Sequence, residues 1–344
     1  MDGAGKSLLL RGTNLGNWFE PEGYMFHLGD NAQSPREIEE LSYELIGPEK
    51  ADAFWKEWRE TYITEADIDR LKAMGFNSVR VPIHWELFDQ DNAEGFRLLD
   101  RLVEWARKDH IYVIIDLHCA PGGQTGTNID DSYGYPWLYL SGEAQKHTIA
   151  IWRRIAAHYS KEPIVLGYDL LNEPIPHFPQ LQRFNGDLEP LYRRISAAIR
   201  EVDRNHVLIL GGAQWDSNFK VFGPPFDKNV MYTFHKYWTA PDASVIKEYV
   251  DFRDKYNVPI WLGGIRRERR PVDCGICEDA GGGSYRLVLL ALQEDGCRLE
   301  CGHIRRADSL GCGHQLEQDA RWDRECRKKD RCAPVAGRCA GSVR

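Results

Sequence analysis

The 344 residues carry 42% hydrophobic side chains and a formal charge of −8, enough for one large domain with a full core and too few for two. The acidic balance leaves no nucleic-acid footprint, and no apolar run of about 18 residues is present, so no membrane-spanning helix is expected. Met1 to Lys6 lacks the charged and apolar regions of a secretory signal; a cytoplasmic location is expected from that, and secretion if the N-terminus is truncated.

Apolar strand-like runs alternate with amphipathic helical stretches along the first 264 residues. Leu8–Leu10 leads into Arg11-Gly12-Thr13-Asn14. A helix with Ile68, Leu71 and Met74 on one face precedes the strand Ser78–Pro82. Phe96, Leu99, Leu102, Val103 and Ala106 recur at helical spacing, and Tyr112–Leu117 follows as a buried strand. Ile149, Ile151, Trp152 and Ile155 mark the next helix, then comes the strand Ile164–Leu171. Leu191, Ile195, Ala198 and Val202 precede the strand Val207–Leu210. Val230–Phe234 is a sixth strand, Val245–Tyr256 a helix and Pro259–Leu262 a seventh strand. Continuous apolar strands are buried on both faces and belong to a parallel sheet. Seven of them in β-α alternation predict an α/β fold, the (β/α)8 TIM barrel, over an open doubly wound sheet. No G-x-G-x-x-G follows the first strand, which argues against a dinucleotide fold. Gly122-Gly123-Gln124-Thr125-Gly126 lacks a following Lys-Ser/Thr and reads as a plain flexible loop.

A compositional break falls at Gly264. Residues 1–264 hold 37 of the 39 aromatics and one cysteine, Cys119; residues 265–344 hold Tyr285, Trp322 and eight cysteines. Formal charge is about −11 before the break and about +3 after it, and the tail's basic residues are 14 Arg against two Lys. Its one apolar run is Leu287–Leu292. The expected organisation is a barrel over residues 1–264 and a Cys/Arg-rich tail over 265–344 that buries too little apolar surface to order itself.

Barrel sites are built at the carboxyl ends of the strands, and polar residues collect there. Arg80 lies in the second strand, His118 closes the third, Asn172-Glu173-Pro174 the fourth, and His235 and Tyr237 the sixth. Glycoside cleavage suits this set. Glu173 is the best candidate to protonate a leaving oxygen, and Asn172 could hold a sugar 2-hydroxyl. Arg80 could keep a partner carboxylate ionised, or serve only as a structural ion-pair partner. His118, His235 and Tyr237 could orient carboxylates or bind hydroxyls. Trp18, Trp85, Trp137, Trp215 and Trp238 fall in or beside loops that follow strands, where rings can stack on sugars. Asp116 and Asp169 read as buried polar groups of the barrel interior.

At these residues the chain resembles glycoside hydrolase family 5, the cellulase-like group of retaining enzymes. The matching pieces are Arg11–Trp18, Val79-Arg80-Val81-Pro82, Asp116-Leu117-His118, Leu171–Pro174 and Phe234–Tyr237. Asp116–Gly122 resembles the subgroup with exo-1,3-glucanases. The resemblance implies a β-glucan substrate, Glu173 as general acid/base, and Arg80, His118, Asn172, His235 and Tyr237 in support. It also implies retention by double displacement, and no metal or organic cofactor.

The family places its nucleophilic Glu at the end of strand seven, where this chain has Gly264. The tail also has no counterpart of the eighth strand and its helix. A one-base offset accounts for both. Gly264–Arg270 encoded GGA ATT CGG CGA GAA CGG CGA reads Glu-Phe-Gly-Glu-Asn-Gly-Asp when the first G is dropped and the C that opens Pro271 is taken. In the same frame, Ser284–Glu294 can read Ala-Ile-Gly-Trp-Ser-Phe-Trp-Pro-Tyr-Lys-Lys, a family-like eighth strand. The rival reading is a zinc module on Cys274-x2-Cys277 and Cys297-x3-Cys301, paired with a non-catalytic sugar-binding barrel.

Overall fold

The computed structural model describes residues 8–28, 31–127, 129–237, 243–265 and 287–289. The strands are β1 (Gly12–Asn14), β2 (Ser78–His84), β3 (Tyr112–Cys119), β4 (Val165–Asp169), β5 (Val207–Gly211), β6 (Val230–Lys236), β7 (Ile260–Ile265) and β8 (Leu287–Leu289). They form one sheet in sequence order, and every neighbouring pair is parallel. The helices are α1 (Pro35–Ile46), α2 (Pro48–Thr61), α3 (Glu65–Ala73), α4 (Glu94–Asp109), α5 (Gly142–Tyr159), α6 (Asn185–Val202), the four-residue turn α7 (Ala213–Asp216) and α8 (Lys247–Tyr256). This is the (β/α) barrel order, with α1 and α2 inserted between β1 and its crossover helix α3. Among the described residues, the tail contributes Ile265 at the end of β7 and the three residues of β8, which pair with β7 from Ile260↔Leu287 to Leu262↔Leu289, and no pair joins β8 to β1. The remainder of the tail, with its cysteines, lies outside the described residues. Among the described residues no helix is long and apolar enough to cross a membrane.

Side-chain alternation along the strands sorts the residues into two layers. Val79, Val81 and Ile83 of β2, Val113, Ile115 and Leu117 of β3, and Tyr232 and Phe234 of β6 belong to the large core with the helices. Ile114, Ile209, Met231 and Trp261 join Leu10 in a separate small cluster that fills the base of the barrel. Stepping by two from Ile114 reaches Asp116 and then His118, so the same parity that closes the base points polar side chains at the rim. In α4, Phe96, Leu99, Leu102, Val103 and Ala106 are all buried, as their spacing predicts. Burying each of the larger ones stabilises by roughly 1.5–3 kcal/mol over exposure. α1 starts in a capping box between Ser34 and Glu37, and α3 in one between Thr64 and Asp67. Met74, expected on the apolar face of α3, is instead its C-cap and 38% exposed, because the helix stops there before Gly75 turns with φ +86.

Gly167 marks the tightest approach between β4 and β5. A Cβ there would stand 2.2 Å from the carbonyl oxygen of Val207, a backbone atom held by the β4–β5 ladder. Gly167→Ala is expected to destabilise by about 1–3 kcal/mol through overpacking, read as a lower urea midpoint with an unchanged m-value.

Candidate active site

The rim is organised around Arg80, which is 1% exposed. Its Nε and Nη2 reach Asp169 Oδ2 at 2.9 and 2.8 Å, and Nη2 also reaches Asp116 Oδ1 at 2.9 Å and Asn172 Oδ1 at 3.0 Å. Burial opposes the guanidinium charge, but Asp116 and Asp169 outweigh it and hold Arg80 above its ordinary value. Burial raises both carboxyls to about 7, against the pull of Arg80. Arg80 thus pairs with two buried aspartates rather than with Glu173.

The network fixes the next two side chains. His118 Nδ1 lies 2.7 Å from Asp116 Oδ2, and its Nε2 lies 3.1 Å from Asn172 Nδ2. Since Asn172 Oδ1 accepts from Arg80, its amide N–H faces His118, whose Nε2 must accept and whose Nδ1 must donate to Asp116. This is a neutral imidazole, and burial together with Arg80 pushes His118 down to about 3.

Glu173 sits just beyond β4 with φ +44, and Ile175 follows with φ +56, a left-handed path that costs non-glycine residues energy. It is braced by the segment that reads from sequence as a flexible loop. Gln124 and Thr125 are both fully buried. Gln124 Nε2 donates to the carbonyls of His118 (2.5 Å) and Asn172 (3.0 Å), and Thr125 Oγ1 donates to the carbonyl of Glu173 (2.8 Å). Asp130 Oδ2 in turn accepts from the amides of Thr125 (2.6 Å) and Gly126 (2.9 Å). The loop expectation is corrected: glycines at φ +79 and +75 (Gly122 and Gly123) make the turn tight, and its side chains replace backbone partners the strand end lacks. Glu173 Oε1 lies 2.6 Å from His235 Nδ1, and its amide donates to Asp216 Oδ2 at 3.3 Å. Tyr237, raised by burial and by Glu173, stands beside it.

The tryptophans divide. Trp18 is 1% exposed, stacked on Phe19 at 3.8 Å and donating to the carbonyl of Arg59, so the expectation of a sugar platform there is corrected: the ring is core. Trp85 is half-buried against His147. Trp137 is 48% exposed beside Tyr135. Trp215 is half-buried, flanked by His177 and Phe178. Trp238 lies outside the described residues.

Three acidic residues at the rim were not singled out from sequence. Asp216 follows β5 and is completely buried. Glu20 and Glu22 come two and four residues after Trp18, in the loop that follows β1. Being strand-end loop residues, they carried the same positional signal as His118. Atoms of Glu20, Glu22 and His118 lie within 4.8 Å of one another, a set that could hold a metal ion. Burial, Glu22 and Asp116 push Glu20 far above the usual carboxylate range, and His118 Nε2 already faces Asn172.

Gly264 ends the rim. It pairs with His235 across a register shift in β6–β7, and a Cβ there would stand 2.3 Å from the Tyr237 hydroxyl and 2.9 Å from His235 Nδ1.

The comparisons agree with this architecture. The chain is 32% identical over 247 residues to a β-xylosidase of Phanerodontia chrysosporium, covering 69% of this chain and 50% of that protein. It is 30% identical over 263 residues to a glucan 1,3-β-glucosidase of Candida oleophila, covering 69% and 60%. It is 30% identical over 192 residues to endoglucanase C of Acetivibrio thermocellus, covering 54% and 53%. The chain thus spans about half the length of these relatives. Among solved structures, the rutinosidase of Aspergillus niger superposes with TM-score 0.59 at 19% identity, covering 75% of this chain and 79% of that one. Cel5A of Thermotoga maritima with mannotriose gives 0.56 at 18%, covering 83% and 91%; both likenesses are of fold. The profile of the cellulase family matches residues 38–261, well over half of the chain, and the chain belongs to glycosyl hydrolase family 5.

Proposed function

We propose that this rim binds a β-linked glucan and that Glu173 is the general acid/base of a retaining double displacement whose nucleophile is missing at Gly264. The carrying observation is Glu173 Oε1 at 2.6 Å from His235 Nδ1, on a rim where Arg80, His118 and Asn172 form one hydrogen-bonded chain. A carboxyl held this way can give a proton to a leaving oxygen and later take one from water. The relatives' names, a 1,3-glucosidase, an endoglucanase and a β-xylosidase, support a β-linked substrate. Glycine offers no carboxylate, so no glycosyl-enzyme forms at position 264. Leu287–Leu289, which pair with β7 in the present frame, lie within the segment that reads as an eighth strand after a one-base offset. The missing carboxylate also favours the second reading, a barrel that binds sugar without turnover.

The test combines the coding sequence at codon 264 with calorimetric titration of laminari- and cello-oligosaccharides. This chain is expected to bind one of the two series and to release no reducing ends. Absence of binding to either series overturns the site reading. Hydrolysis by this chain at the rate of the frame-restored one overturns the nucleophile assignment.

A further inference from the structure

The segment after β5 is the most strained stretch on the rim. Gln214, Trp215 and Asp216 have φ of +54, +57 and +61, three consecutive left-handed residues, none of them glycine. Each such residue costs on the order of 1–2 kcal/mol, so the surroundings must hold the turn. Gln214 is fastened to Asn185 and Asn218, and Trp215 N donates to the carbonyl of Ile175 at 3.2 Å. Tyr192 and Tyr249 donate to the carbonyls of Gly211 and Ser217 on either side.

What this turn delivers is the Asp216 carboxyl, which burial, Asp169 and Glu173 push well above its ordinary range against the pull of Arg80. It is 0% exposed, and its Oδ2 lies 3.3 Å from both the Glu173 amide and His235 Nε2. Oδ1 rests on Gly211, where a Cβ would stand 1.9 Å away; neither Oδ1 nor His235 Nε2 has a hydrogen-bond partner, so Asp216 and the ring meet at ion-pair distance. A strained turn, a glycine seat and a buried carboxyl converge on the far nitrogen of the ring that touches Glu173.

We propose that Asp216 is a positioning residue: its carboxyl, set against Nε2 of His235, favours the tautomer that keeps its proton on that nitrogen and so fixes the face the ring turns to Glu173. This rests on the reading of Glu173 as the acid/base. A neutral imidazole protonated at Nε2 presents a lone pair at Nδ1, 2.6 Å from Glu173 Oε1. The hydrogen between them must then come from Glu173, and the acid form is the one held ready. The opposite tautomer would donate from Nδ1 and hold Glu173 as a carboxylate, unable to protonate a leaving group. The other charged groups near this pair are Asp116 of β3, Asp169 of β4 and Arg80 of β2. Arg80 is ion-paired with each of the two aspartates, while Asp216 Oδ2 stands at ion-pair distance from Nε2.

The test is long-range 1H–15N NMR of this chain labelled with 15N-histidine, without sugar, with His235 assigned by the loss of its signals in His235→Asn. His235 is expected to show a protonated Nε2 and a bare Nδ1. In Asp216→Ala, and in Gly211→Ala where the new methyl displaces the carboxyl, the proton is expected to move to Nδ1. Asp216→Asn, which keeps an acceptor oxygen and tolerates the left-handed backbone, is expected to restore the original pattern. A wild-type ring protonated at Nδ1, alone or together with Nε2, overturns the proposal even if the variants fail to fold. An Nε2–H signal that persists in Asp216→Ala overturns it too. Failure of the acid/base reading is distinguishable, because it shows only in hydrolysis by Glu173→Gln of the frame-restored chain and leaves the tautomer untouched.

Discussion

Reading the frame from codon 264 onward as Glu-Phe-Gly is expected to raise hydrolysis of laminarin, carboxymethylcellulose or mixed-linkage glucan by about 10⁴-fold or more over the chain ending in the present tail. The magnitude follows from the chemistry. A retaining site splits one displacement into two through a carboxylate on the opposite sugar face from the acid, and loss of a nucleophile from a catalytic unit costs several orders of magnitude in turnover. Glu173→Gln in the restored chain is expected to lose about 10²–10⁴-fold, the contribution of general acid–base catalysis. Gly264→Glu alone, with the tail unchanged, is expected to recover far less. The Tyr237 hydroxyl stands 2.3 Å from the position of the new Cβ and the His235 ring 2.9–3.0 Å away, so both must withdraw. β8 would remain three residues long, without a pair to β1 among the described residues. Initial rates on the three polysaccharides decide the matter. Equal rates for this chain and the restored one would place the nucleophile elsewhere, and an unimpaired Glu173→Gln would remove the acid/base assignment.

The barrel was legible because its signals are local and repeated. Seven apolar runs separated by 3.6-periodic stretches leave few topologies, and Arg80, His118, Asn172, Glu173 and His235 stood out as polar residues at the ends of runs that bury everything else. What escaped has a common cause. Asp216 reaches the rim through three left-handed residues, a backbone path no side-chain pattern announces. Gln124 and Thr125 look like part of a glycine-rich loop until the strand end they brace is present. Trp18 has the composition of a sugar platform, and only the packing of Phe19 and the insert α1–α2 turns it into core. The two aspartates read as bland interior groups, Asp116 and Asp169, are bonded to Arg80, and their place in the network depends on which strands are neighbours. Sequence periodicity says which face a residue occupies, and says nothing about its partner across the barrel.

That network makes Arg80→Met the substitution with the largest expected effect on stability. Methionine fills much of the same volume, so the loss is chiefly electrostatic. Asp116 and Asp169 are each 0% exposed, and without the guanidinium their charges lose the cation 2.8–2.9 Å away. Removing one partner of a buried ion cluster costs about 3–5 kcal/mol. The sign of the pH dependence follows from the direction of the shifts. Burial already raises both carboxyls to about 7 in the folded protein, well above the unfolded value of about 3.9. A raised carboxyl contributes stability that is fully present below the unfolded value and is lost as pH rises through the folded one. Without Arg80 the folded values climb further, so the loss continues above pH 7, where the wild type has levelled off. Urea unfolding at pH 5, 6.5 and 8 is therefore expected to show a small and similar gap between variant and wild type at pH 5 and 6.5 that opens between pH 6.5 and pH 8. A gap independent of pH would mean that Arg80 acts through packing alone. Arg80→Lys keeps the charge but has a point donor in place of a fork, so it is expected to restore part of the stability at pH 8. Adding Asp169→Asn to Arg80→Met is expected to restore part as well, because one of the two orphaned charges is gone.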